Sequence, residues 1–218
     1  MRKLLIGLGV VILVLILIKK KNMTWRESIL KAIYPVIMLP GKLLGSDQKG
    51  SVNRENKMPL MNFYQLSVTL NNGQTVSMEQ FKGKKLLLVN TASACGYTGQ
   101  YAELEELYKK YQDKLVVIGF PANDFKQQEQ RNDAEIAEFC KVNYGVTFLL
   151  AQKSTVIKTA NQNPVFQWLS DADKNGWNDQ EPVWNFCKYL VDEKGVLEAF
   201  IPQTVSPLDQ SVVRIISK

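Results

Sequence analysis

The residue best placed to do chemistry is a cysteine. In Val89-Asn90-Thr91-Ala92-Ser93-Ala94-Cys95-Gly96-Tyr97-Thr98, an apolar run, Leu86–Val89, gives way to small and polar residues. A helical pattern follows, with Tyr101, Leu104, Leu107, Tyr108 and Tyr111 recurring at helical spacing. A thiol at a strand-to-helix turn faces unpaired backbone N–H groups and the positive end of the helix dipole, both of which favour the reactive thiolate. Thr98 occupies the position three residues on, so this is not a C-x-x-C dithiol. A lone activated thiol suits attack on a small oxidant. The competing reading is a small buried hydrophobe, the commoner fate of a free cysteine. The chain has three cysteines and no histidine. Three are too few for a disulfide scaffold. The lack of histidine excludes histidine metal sites, Ser-His-Asp triads and Cys-His pairs. Activation of Cys95 must then come from dipoles and from amide or indole donors, and no cofactor is called for.

The elements that would position this turn can be read outward from it. Leu86–Asn90 and Leu115–Phe120 are continuous apolar runs separated by the helix that begins near Gly99, a βαβ unit whose strands are parallel and buried on both faces. Gln65–Leu70 and Gln74–Ser77 flank Asn71-Asn72-Gly73, a hairpin signal. Asp133–Val142 reads as a second helix and Pro164–Leu169 as a third. Phe186–Val191 and Val196–Ile201 form an antiparallel hairpin, and Leu208–Ile216 closes as a helix. A βαβ unit followed by helix, hairpin and helix is the order of a thioredoxin-like α/β fold, with a central mixed sheet and flanking helices. Residues 61–218 suffice for one such domain.

Charge divides the chain. Of 27 Lys/Arg and 21 Asp/Glu, 11 and 3 lie in residues 1–60, which leaves 16 and 18 in residues 61–218, a net of −2. The basic character belongs to the N-terminal part, and the domain offers no electrostatic case for nucleic acid. Leu4–Ile18 has no polar or charged residue and lies between Arg2-Lys3 and Lys19-Lys20-Lys21. Its 15 residues span only about 22 Å as a helix, short of the roughly 30 Å hydrocarbon core, though flanking lysines can snorkel. The run ends in lysines rather than in an A-x-A cleavage site, so residues 1–21 are expected to be a transmembrane anchor, or uncleaved signal, rather than a removed peptide. The heavier basic flank on its C-terminal side favours a cytoplasmic domain at the inner or plasma membrane. Thr24-Trp25-Arg26-Glu27 reads as a capping box that opens a helix broken near Pro35 and Pro40. Trp25, Ile29, Ile33 and Ile37 place that helix either at a membrane interface or against the domain. The polar stretch Ser46–Pro59 completes a tether over residues 22–60.

With these pieces in order, the chain from Asn62 to Ser217 resembles the glutathione peroxidase family, in particular its cysteine-containing bacterial, yeast and plant branch. The segments that carry the resemblance are Asn90–Tyr101, Gly119-Phe120-Pro121, Phe125-Lys126-Gln127-Gln128-Glu129, Ala134–Val146 and Trp184-Asn185-Phe186. The resemblance implies that Cys95 is the peroxidatic cysteine, and that the Gln128 amide, the Trp184 indole N–H and the Asn185 side chain converge on its sulfur. It further implies that Cys140 resolves the oxidised Cys95 to a disulfide that a thioredoxin-type dithiol reduces. Taken alone, Gln128 reads as a surface glutamine, Trp184 as a core aromatic and Cys140 as a buried helical cysteine. If Cys140 resolves, its helix must unwind or swing, because a disulfide needs Cα atoms about 4.4–6.8 Å apart.

The chain also departs from the family pattern. Ala122 stands where a cysteine often follows Phe-Pro, which leaves Cys140 as the resolving candidate within the matching motifs. Asp124 adds a carboxylate that could raise the thiol pKa. Gln130-Arg131 replaces Pro-Gly. Cys187 falls outside the family's catalytic positions and reads as core. The short stretch between Trp168 and Trp184 implies a monomer with an open site and no dedicated glutathione pocket. The reading that follows is a thiol peroxidase for hydrogen peroxide and organic or lipid hydroperoxides. Its alternatives are direct use of glutathione, a non-enzymatic redox sensor, and a degenerate structural module.

Overall fold

The computed structural model describes residues 22–39 and 50–218. Helix α1 (Trp25–Ile37) precedes a two-residue strand β1 (Ser51–Val52), the hairpin β2 (Ser67–Thr69) and β3 (Thr75–Ser77), and the strand β4 (Lys85–Thr91). Then come α2 (Gln100–Tyr111), β5 (Leu115–Pro121), α3 (Asp133–Tyr144), β6 (Leu149–Leu150), α4 (Pro164–Leu169), α5 (Ala172–Asn175), β7 (Lys188–Val191), β8 (Leu197–Ile201) and α6 (Gln210–Ser217). The main sheet runs β1-β8-β7-β4-β5-β6. β4 pairs with β5 in parallel, from Lys85 opposite Leu115 to Thr91 opposite Pro121, and with β7 antiparallel. This is the mixed sheet of a thioredoxin-like fold.

The continuous apolar runs exist because both faces of β4 and β5 are covered. Side chains alternate across a strand, so Leu86, Leu88, Val116 and Ile118 enter one core with Val165, Phe166 and Trp168 of α4. Leu87, Val89, Leu115 and Val117 enter the other with Tyr101, Leu104 and Leu107 of α2, Phe139 of α3 and Ile216 of α6. Burying each such side chain contributes about 1.5–3 kcal/mol. The same alternation separates two of the thiols: Cys187 lies in the α4-side core and Cys140 in the α2-side core, along with Cys95.

Helix α1 opens with the expected capping box, in which Thr24 Oγ1 accepts the Glu27 N–H and the Glu27 carboxylate accepts the Thr24 N–H. It runs through Pro35 and ends at Ile37, and Pro40 lies outside the described residues. The proline sits in the last turn, where its missing donor costs one intrahelical bond, and the Met38 N–H still reaches Tyr34 O. Glu27, Ser28 and Tyr34 are buried against the domain, while Trp25, Ile29, Ile33 and Val36 stay exposed on the outer face.

The expectation of a membrane-spanning helix is corrected. No helix among the described residues is long and apolar enough to cross a membrane, and Leu4–Ile18 lies outside the described residues. The membrane-anchored placement that rested on that helix is withdrawn with it.

Candidate active site

The carboxyl ends of β4 and β5 deliver the loops that build the site. After Thr91 the chain turns through Ser93 and Ala94 to Cys95, and α2 begins at Gln100. Thr98 holds this turn. Its hydroxyl accepts the Cys95 N–H at 3.1 Å and lies within hydrogen-bonding reach of Ala92 O and Cys95 O. The Ser93 N–H and hydroxyl both donate to Glu129 Oε2, at 2.8 and 2.7 Å, and the Ala94 N–H donates to Gln128 O. The cysteine turn is thereby fastened to the loop that carries Gln128. Behind it, the Asn90 amide donates to Trp184 O at 2.9 Å, and the Phe186 N–H donates back to Asn90 O. Asn90 thus fixes the backbone on both sides of Asn185.

Cys95 is only 1% exposed. Its Sγ accepts the Tyr97 N–H at 3.4 Å. Burial raises its pKa above the ordinary thiol value, against the opposing pull of the Tyr97 amide, the side chains of Trp184 and Asn185, and the Arg26 charge. The sequence reading, in which the turn alone favours the thiolate, needs this correction: desolvation outweighs the donors in the closed site. Gln128 stands one step back, with its Oε1 accepting the Asn185 amide at 2.9 Å. The buried Asn185 Oδ1 has no donor. Trp184 packs beside Phe125, with ring centroids 5.8 Å apart, and under Lys126 Nζ. Lys126, Gln127 and Phe186 all adopt positive φ, at 51°, 52° and 70°. Such backbone strain in bulky residues gathers where loops are held for function.

Cys140 lies within α3, fully buried, and its pKa is pushed up to about 12, first by burial. A capping box of Asn132 with Glu135 opens this helix, and Gly145, at φ 66°, closes it. Cys95, Cys140 and Cys187 are all free thiols. The Asp124 carboxylate accepts the Val156 N–H at 2.7 Å. Arg131, at the replaced Pro-Gly, forms a two-pronged pair with Glu27 of α1. A cleft of about 560 Å³ opens beside Ala94, Gln128 and Gln130, and Thr24, Arg26 and Glu27 of α1 form its other wall. Sequence reasoning missed Thr98, Asn90 and the Ser93–Glu129 link. Each acts through a contact whose partner, apart from the short-range reach of Thr98, is distant in sequence.

A glutathione peroxidase family model matches residues 63–170. The chain is 45% identical over 159 residues to "Glutathione peroxidase-like peroxiredoxin 2" of Saccharomyces cerevisiae, covering 72% of this chain and 98% of the yeast protein. The chain belongs to the glutathione peroxidase family. It is a peroxidase, an oxidoreductase. Among solved structures it is similar to apo Trgpx, with 32% identity, a TM-score of 0.55, and coverage of 73% of this chain and 97% of that one. A thioredoxin-family thiol:disulfide interchange protein from Chlorobium tepidum TLS shares the fold at 15% identity and a TM-score of 0.52, covering 74% and 94%. Trp184 and Asn185 fall beyond the stretch matched by the family model, and the structure brings them to Cys95 through β7 and Asn90.

Proposed function

We propose that this family member reduces hydrogen peroxide and organic or lipid hydroperoxides through a two-cysteine cycle. The Cys95 sulfur attacks the outer peroxide oxygen. The S–O bond forms, the O–O bond breaks, and the thiol proton leaves with the alcohol or water. Neutral donors suit this step because they stabilise the thiolate and then the departing alkoxide without adding a charge that must itself be desolvated. Trp184 and Asn185 are the donors at sulfur, and Gln128 orients Asn185 and presents its own amide to the cleft. Cys140 then displaces water from the sulfenic acid to give a disulfide, and a thioredoxin-type dithiol reduces it. The protein works as a monomer.

The observation that carries this reading is the convergence of the Tyr97 N–H, Trp184 and Asn185 on one buried sulfur at the end of β4. The test is peroxide consumption by the full chain with thioredoxin, thioredoxin reductase and NADPH, compared with glutathione and glutathione reductase. Turnover with thioredoxin that exceeds the glutathione rate at least about tenfold is the expected result. The reverse order would assign glutathione as the reductant. No turnover with either, despite oxidation of Cys95, would favour a sensor.

A further inference from the structure

Helix α1 lies outside the stretch that matches the family model, yet it touches both halves of the two-cysteine chemistry. Towards the peroxidatic turn, the Tyr34 ring presses on Gly99 so closely that a Cβ there would come within 2.3 Å of it. A Cβ on Gly96 would lie 3.5 Å from Ile37 Cδ1. Gly96 directly follows Cys95, and Gly99 stands four residues after it, just ahead of α2.

Towards the other half, the contacts run along the helix that carries Cys140. Arg131, just before its cap, donates to both Glu27 oxygens at 2.6 and 3.0 Å and to Asn22 O at 3.3 Å. The Asn22 amide donates to Glu138 Oε1 at 2.6 Å. Lys31 Nζ donates to Asn143 O and sits 4.1 Å over the Tyr144 ring at the far end. The Glu27–Arg131 pair is two-pronged and charge-assisted, and Glu27 is nearly fully buried. This helix, with Asn22 just ahead of it, therefore ties the start, middle and end of α3 to the turn that carries Cys95.

We infer that α1 is a clasp on α3, and that Glu27 and Lys31 are positioning residues of the resolving step: the disulfide forms only when they let go. The inference rests on the two-cysteine reading. In that step the Cys140 sulfur attacks the Cys95 sulfenic sulfur. The S–S bond forms, the S–O bond breaks, and the Cys140 proton leaves with the hydroxide as water, the hydroperoxide having already supplied the oxidising equivalents. Cys140 starts fully buried inside a helix capped at both ends, so α3 must leave its place for the sulfurs to meet. Every contact from α1 opposes that departure. The clasp keeps Cys95 as a sulfenic acid for longer and sets how readily excess peroxide over-oxidises it.

The test uses the full chain, reduced and then given one equivalent of hydrogen peroxide, with timed acid quench, alkylation and mass spectrometry of the Cys95–Cys140 peptide pair. In Lys31→Gln, disulfide formation should quicken about tenfold, the effect a single charge-assisted contact supports, while Cys95 oxidation stays within about twofold of wild type. Glu27→Gln should also quicken the disulfide from the other end of α3, and both variants should accumulate less sulfinic acid in excess peroxide. In the wild-type chain, amide exchange should show α1 losing protection once the disulfide has formed. A wild-type disulfide with unchanged or slower formation in both variants would overturn the clasp alone. No Cys95–Cys140 disulfide in wild type would overturn it together with the two-cysteine reading. If the variants fail to fold, retained protection of α1 in the oxidised wild type overturns it, and lost protection supports it.

Discussion

Cys95 and Cys140 share a core, a free thiol and near-complete burial, but their surroundings differ in kind. Around Cys95 a backbone N–H, an indole and an amide oppose the cost of burying a negative sulfur. Around Cys140 burial dominates, the neighbouring Glu129 carboxylate adds to it, and Tyr101 and Arg131 offset only part. The chain positions Cys95 on a turn held by Thr98 and Glu129, whereas it stores Cys140 in the middle of a doubly capped helix. In the proposed cycle the thiol that reacts first is met by preorganised donors, and the thiol that reacts second is kept neutral until a conformational change releases it.

The sharpest way to break the comparison is Cys95→Ser, which should lower peroxide reduction by about a thousandfold or more, as loss of a nucleophile does, while Cys187→Ser in the opposite core keeps most of it. Retained turnover in Cys95→Ser, followed as peroxide loss, would remove the distinction altogether. The donors come next. Gln128→Ala and Asn185→Ala should each slow Cys95 oxidation on the order of 10- to 1000-fold in stopped-flow fluorescence. Because the two side chains are hydrogen-bonded to one another, the double variant should lose less than the product of the single losses.

Cys140→Ser separates the two thiols. Its first oxidation should match wild type, yet thioredoxin-supported turnover should fall at least about tenfold, with sulfenic and sulfinic masses appearing in place of the disulfide. The smallest effect concerns Glu129. Burial outweighs its bonds from Ser93 and lifts its pKa from 4.5 to about 7. The folded state therefore holds a proton that the unfolded state has released, so this group's contribution is fully present below pH 4.5. It is lost as the pH rises to about 7 and amounts to up to about 3 kcal/mol. Denaturant titrations at pH 5 and 7.5 should show that fall in wild type and a flatter response in Glu129→Gln.

Much of the frame was legible because burial leaves a plain signature. Parallel strands covered on both faces read as unbroken apolar runs, so β4 and β5 stand where Leu86–Asn90 and Leu115–Phe120 were expected. The capping box at Thr24 was legible for the same local reason. Convergence on the thiol was not. Gln128 and Asn185 stand 57 positions apart, and only resemblance joined them to Cys95. The seat of α1 depends on Arg131, 104 residues from Glu27, and no periodicity within the helix reveals that partner. The spanning helix was inferred from an apolar run and its basic flanks, although 15 apolar residues already fell short of a bilayer.

Strand β1 has a consequence for the company this protein keeps. Ser51 and Val52 pair with Phe200 and Ala199, and the Asn53 N–H reaches Glu198 O, so a short length of chain ahead of the domain occupies the outer rim of β8. An open rim offers a row of unpaired donors and acceptors to any extended peptide, including another molecule of the same kind. With two residues in that position the sheet ends in a segment too short to act as a template itself. The segment Ser51–Asn53, in a stretch whose composition suggests only a spacer, therefore also covers an edge that would otherwise invite edge-to-edge pairing.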